Sequence, residues 1–248
     1  MDTTSWPSAL LDEACKPYRK AGRFAYFFAR GKLRQDPVYR AILERGLLLG
    51  RSRILDLGCG QALLTAWLRA AARLYDRGTW PDAWPAAPRP LSTRGIDLMP
   101  RDVERARCAL GPDADIMTGD IRDIEFGAAD AVVVFDVLHY MAASAQRDIL
   151  NRVRTALPVG GLLLLRVCDA GGGLRYRYTQ WVDKVVLRLR GHTSVVPHCR
   201  RVDDWQLLLR ESGFTSEAVP MSQGTPFANV LLISHASGSA SAAAYFPG

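Results

Sequence analysis

The chain has 248 residues, 48% hydrophobic and 23% charged, with a net charge of +7. That length and composition suit one globular α/β domain with embellishments. No apolar run approaches the roughly 18 residues of a membrane span. The first twenty residues carry Asp2, Asp12 and Glu13 without an apolar h-region, so a cytoplasmic protein with no membrane span is expected. Five scattered cysteines form no C-x-x-C pair, which argues against a zinc site or a disulfide framework, and no metal is expected.

The positive charge is unevenly placed. Residues 1–50 carry +4, residues 51–165 are neutral, residues 166–201 carry +6 and the remainder −3. Residues 18–34 combine Phe24, Phe27 and Phe28 with Arg19, Lys20, Arg23, Arg30 and Lys32, the pattern of an amphipathic helix that ends before Pro37. Residues 1–50 are therefore expected to form a helical cap. Next, R-I-L-D-L-G-C-G-Q-A-L-L-T over residues 53–65 reads as a short apolar strand, a glycine turn and a helix. Gly58 and Gly60 would let a nucleoside-type ligand approach the backbone, with free N–H groups facing it at the helix start. The third glycine of a dinucleotide fingerprint would fall at Leu63, so that reading is weak. Cys59, inside the turn, is expected to pack as a small apolar residue.

Leu63, Leu64, Trp67, Leu68, Ala71 and Leu74 recur at helical spacing. Residues 76–93, with four prolines among Trp80 and Trp84, read as an inserted surface loop. A strand over 94–98 contains Asp97, and Pro100 opens a helix to Leu110. Strands follow at 115–118 and 131–135, then a helix over 143–157 and a strand over 162–167, read as fully apolar and buried on both faces. Residues 174–190 repeat the basic, aromatic theme with Tyr176, Tyr178, Trp181 and Arg177, preceded by Gly171, Gly172 and Gly173 as a hinge. Residues 169–202 would form a lid insert. A helix over 203–212 and two strands over 214–219 and 228–235, joined without a helix, make an antiparallel hairpin. Residues 236–248 read as a disordered tail. The alternation predicts a doubly wound, mostly parallel sheet with ligands at the carboxyl ends of its strands.

The acidic residue two positions before G-x-G resembles motif I of the class I S-adenosylmethionine-dependent methyltransferases, and the closing hairpin resembles the end of that family's sheet. The resemblance covers residues 51–235 and implies a seven-stranded sheet with a C-terminal antiparallel hairpin. In that family a third glycine often stands where this chain has Ala62. By position, Asp97 would accept both ribose hydroxyls, Asp120 the adenine amine, and Ile121 would donate its backbone N–H to the ring. Asp56 would orient the methionine portion, and the Phe135 carbonyl would lie near its ammonium. Gly58, Cys59, Gly60, Leu98 and Asp136 complete the expected cofactor contacts. Taken singly, Asp97 is also a plausible helix-start carboxylate and Asp120 a turn residue.

The Asn/Asp-Pro-Pro-Tyr signature of many amino-group methyltransferases is absent; residues 135–140 read Phe-Asp-Val-Leu-His-Tyr. His139 is the candidate base for a phenolic proton, against the alternative that it caps a helix, and Tyr140 is a candidate pocket residue. The two basic segments would supply Tyr18, Arg19, Arg23, Phe27, Arg177 and Trp181 to an anionic or carrier-linked aromatic or acyl substrate. The leading expectation is O- or C-methylation of a small molecule. The basic charge keeps open an RNA methyltransferase, and a third possibility is a non-catalytic S-adenosylmethionine-binding protein that serves as a partner or sensor.

Overall fold

The computed structural model describes residues 6–189 and 198–238. The expected tail falls largely on residues 239–248, and part of the lid insert on residues 190–197, both outside the described residues. Three helices lead in: α1 (Trp6–Cys15), α2 (Arg23–Gln35) and α3 (Pro37–Glu44). The sheet and its connections follow as β1 (Arg53–Leu57), α4 (Leu63–Asp76), β2 (Ser92–Asp97), α5 (Pro100–Leu110), β3 (Asp115–Thr118), β4 (Ala131–Phe135), α6 (Ala143–Ala156) and β5 (Leu162–Cys168). The chain continues through α7 (Gly173–Leu189) and α8 (Val202–Glu211) to β6 (Phe214–Pro220) and β7 (Asn229–Ala236). Strand order is β3-β2-β1-β4-β5-β7-β6, parallel from β3 to β5 and antiparallel where β7 meets β5 and β6. This is the doubly wound sheet with a closing hairpin that the alternation predicts.

Each central strand feeds two cores because successive side chains point to opposite faces. Ala131 and Val133 of β4 join a cluster built with α1 to α4, while Val132 and Val134 join the cluster under α6 and α8. Burial on both faces explains the unbroken apolar runs, and the edge strand β6 alternates instead.

Four expectations change. The helix expected over residues 18–34 is a 3₁₀ turn at Lys16–Arg19 followed by α2, with Gly22 at φ +101° between them. The proline-rich insert is irregular but packed: Trp80 and Trp84 contact edge-on, Arg40 lies over Trp84, and Pro85 covers Gly46. Of the three glycines at the start of α7, Gly172 is closely packed, since a Cβ there would come within 2.6 Å of the Ala228 Cβ, whereas Gly173 has φ +58° and open space around it.

The fourth change is in β5, which is not fully apolar. Arg166 sits within it with 1% of its side chain exposed. Its guanidinium donates to both oxygens of Asp36 at 2.5 and 2.6 Å, and to Asp136 through Nε at 2.9 Å and through Nη2. Asp36 also caps α3 by accepting the Val38 N–H, and the Lys32 ammonium reaches it at 2.9 Å. Burial alone would raise the Asp36 and Asp136 carboxyls, but Arg166 and Lys32 outweigh it and hold both below the ordinary carboxylate range.

Arg166→Met, which strands two carboxylates, is expected to lower unfolding free energy by about 3–5 kcal/mol in urea titrations at pH 7. The acid response tests the same pairs. Depressed native pKa values mean that their stabilisation is present at neutral pH and is lost as pH falls below about 4, whereas Arg166→Met gains stability on acidification from pH 7 to 5.

Candidate functional site

At the carboxyl end of β1 the chain turns through Gly58 (φ +78°), Gly60 (φ +54°) and Ala62 (φ +54°) before entering α4. Gly58 is doubly constrained, because a Cβ there would lie 2.1 Å from Val137 Cγ2. A Cβ on Gly60 would meet nothing within 4 Å, so the turn opens onto space at that residue. Ala62 adopts the left-handed conformation that glycine takes at lower cost.

Three of the turn's amides find partners within the protein. Gly58 and Cys59 donate to the Ile96 carbonyl at 2.8 and 3.1 Å, continuing the β1–β2 pairing past the strand end. Gly60 donates to Asp97 Oδ2 at 2.7 Å, and Met99 donates to Asp97 Oδ1 at 2.8 Å. Two backbone amides thus fix the Asp97 carboxylate. Cys59 packs as expected, its Sγ lying where a side chain on Gly95 would collide.

A cavity of about 1680 Å³ lies over the strand ends. Gly58, Gly60, Asp97, Leu98, Asp120, Ile121, Phe135, Asp136, His139, Tyr140 and Phe27 all line it. Its wall carries both signs of charge, with Arg30, Lys32, Arg34, Arg40 and Arg122 set among Asp36, Asp97, Asp102, Asp120 and Asp136. Its volume exceeds the ~300–1,000 Å³ of an ordinary small-molecule pocket, leaving room for a cofactor and an acceptor together.

Asp120 is paired with Arg122, whose Nε lies 3.0 Å from both carboxylate oxygens; this hydrogen bonding holds Asp120 below the ordinary range. Asp56 does not line the cavity. Its side chain is buried, and burial, reinforced by the neighbouring Asp97 charge, raises its carboxyl to about 7. His139 is 3% exposed, in a 3₁₀ turn (Leu138–Tyr140), with its ring centroid 4.0 Å from that of Tyr140. Gln146 clamps this turn: its amide nitrogen lies 3.0 Å from Leu138 O and 3.1 Å from Met141 O, and its oxygen accepts from Arg200 Nε at 2.7 Å.

Among the substrate-side expectations only Phe27 reaches the cavity. Tyr18 is fully buried, and its phenol donates to the Gln61 carbonyl at 2.6 Å, tying the N-terminal helices to the glycine turn. Arg19 lies over the Tyr26 ring, and Arg23, Arg177 and Trp181 do not line the cavity. Sequence reasoning missed Asp36, Gln146 and Arg166. The one legible signal was an arginine within L-L-L-L-R-V-C.

The family model for a methyltransferase domain matches residues 25–219. A carboxy-S-adenosyl-L-methionine synthase from Chromohalobacter salexigens is 34% identical over 129 residues, 50% of this chain and 42% of that protein. The chain thus spans less than half the length of that curated relative. An O-methyltransferase family protein from Burkholderia thailandensis shares the fold at 18% identity and TM-score 0.60, over 90% of this chain and 63% of that one. The magnesium protoporphyrin IX methyltransferase of Synechocystis PCC 6803, solved with bound SAH, shares it at 17% identity and TM-score 0.53, over 95% of this chain and all of that one. With the strand order, the glycine turn and the family match in agreement, the chain belongs to the class I S-adenosylmethionine-dependent methyltransferases.

Proposed function

We propose that this enzyme methylates a small-molecule acceptor, an aromatic or carrier-linked acyl compound with anionic character, on oxygen or carbon. The observation that carries this reading is the convergence of four strand ends on one oversized cavity, with Asp97 fixed by the Gly60 and Met99 amides. The residues fit the cofactor. Asp97 is held ready for ribose hydroxyls, Asp120 and Ile121 stand at the next strand end for adenine, and the open space at Gly60 admits the ligand against the backbone.

Bound S-adenosylmethionine supplies a methyl group activated on a sulfonium. The protein's own contribution is alignment and exclusion of water, and proximity of this kind supplies roughly 7–11 kcal/mol. An acceptor phenol must also lose a proton. Asp136, held ionised by Arg166, and Asp120, held ionised by Arg122, are poor proton acceptors. His139, lining the cavity beside Tyr140, is the group placed to take that proton. Arg34, on the cavity wall, would meet the negative charge of such an acceptor. A second reading draws on the carboxy-S-adenosyl-L-methionine synthase relative, in which the cofactor itself would be modified. The mass of the product, a methylated acceptor or a carboxylated cofactor, separates the two.

In titration calorimetry with S-adenosylhomocysteine, Asp97→Asn is expected to bind about 10- to 100-fold more weakly than the wild type, the loss of one or two charge-assisted hydrogen bonds. Equal affinity would remove Asp97 from the site. Asp56 gives a pH signature, because a cationic cofactor favours its ionised form. Cofactor affinity should therefore rise by up to about tenfold per unit as pH increases towards 7 and level off above it. In Asp56→Asn that rise should vanish.

A further inference from the structure

Helix α2 presents two dissimilar faces. Ala25, Ala29 and Leu33 are buried, whereas Phe24, Phe27 and Phe28 are 61%, 60% and 38% exposed. Their i, i+3, i+4 spacing sets three phenyl rings in one stripe, and the Phe24 and Phe28 rings stack with centroids 6.0 Å apart. Helix α7 carries a second stripe, Leu174, Tyr178 and Trp181 at i, i+4, i+7, exposed by 81%, 43% and 62%. Phe27 and Phe28 line the large cavity from α2, and Thr179 and Val182, next in sequence to Tyr178 and Trp181, line it from α7, so both helices border the same opening. Charge follows the same pattern. Arg23, Arg30, Lys32 and Arg34 lie on α2, which has no acidic residue, and residues 173–182 carry Arg175 and Arg177, again with no acid.

Arg30 and Lys32 are ion-paired with Asp12 and Asp36, but six large apolar side chains reaching solvent beside Arg23, Arg34, Arg175 and Arg177 mark an interaction surface. Aromatic rings on one helix face with arginine and lysine at its flanks are what a helix lying in a membrane interface requires. We propose that α2 and α7 dock this protein on an anionic lipid bilayer, the rings entering the headgroup region, the cations meeting lipid phosphates and the cavity opening towards the membrane. A fluid surface suits rings that protrude from two separate helices, since it demands no matching shape. The charge is complementary to the negative leaflet surface, which attracts basic segments within about a Debye length.

Sedimentation with vesicles tests this, using phosphatidylcholine alone and phosphatidylcholine with roughly 30% phosphatidylglycerol as the anionic lipid. At least about tenfold more protein should sediment with the anionic vesicles, and brominated lipid should quench the fluorescence of the wild type more than that of Trp181→Phe. The double variant Phe24→Ser with Leu174→Ser, both outside the cavity lining, should lose that partition while keeping its thermal midpoint and its affinity for S-adenosylhomocysteine. Equal partition of the double variant, or no sedimentation with either vesicle, overturns the proposal. It is likewise overturned if an acidic acyl carrier protein binds in lipid-free solution, the same substitutions abolish that binding, and vesicles capture nothing.

Discussion

Arg166, buried in the fifth strand, makes ion pairs with two carboxylates that lie far apart in sequence, Asp36 and Asp136. An unpaired guanidinium at that depth would be prohibitive, so the strand and both partners are held in one arrangement. Asp136 follows β4 directly at φ +58°, a left-handed position that aspartate tolerates, and the chain then turns into the segment bearing His139. Asp36 sits where α2 gives way to α3 and caps the latter. One buried cation thus sets both the exit of β4, where an acceptor would meet the cofactor, and the placement of the helices that wall the cavity.

A second tie lies on the other side of the crevice. The Tyr18 phenol holds the Gln61 carbonyl within the glycine turn, while Gly60 and Met99 hold Asp97 across from it. The Gly58, Cys59 and Gly60 amides are spent on the Ile96 carbonyl and on Asp97. The turn consequently acts less as an anion cradle than as a brace for a carboxylate, which suits a ligand presenting hydroxyls rather than a pyrophosphate.

The sheet was legible because burial on two faces forces unbroken apolar runs such as Ala131–Phe135 and because glycines mark the turns. The place of Asp97 and Asp120 on the cavity wall was legible for a related reason: they stand at or just beyond strand ends, and topology carries strand ends to the crevice. The acceptor side was not. Exposed aromatics and cations in α2 and α7 look alike whether they line a pocket or face away from it, and of the six residues expected to hold substrate only Phe27 lines the cavity. Nor could spacing show that Tyr18 points inward to Gln61, or that Arg166 finds partners 30 and 130 residues away.

The account makes the N-terminal helices and the glycine turn one mechanical unit, joined by Tyr18 to Gln61 and braced by Asp36 to Arg166. Amide hydrogen exchange with and without S-adenosylhomocysteine tests that unit directly. Ligand should slow exchange over residues 58–65 and also over residues 16–44, with the second effect lost in Tyr18→Phe. Protection confined to residues 58–65 in the wild type would contradict it.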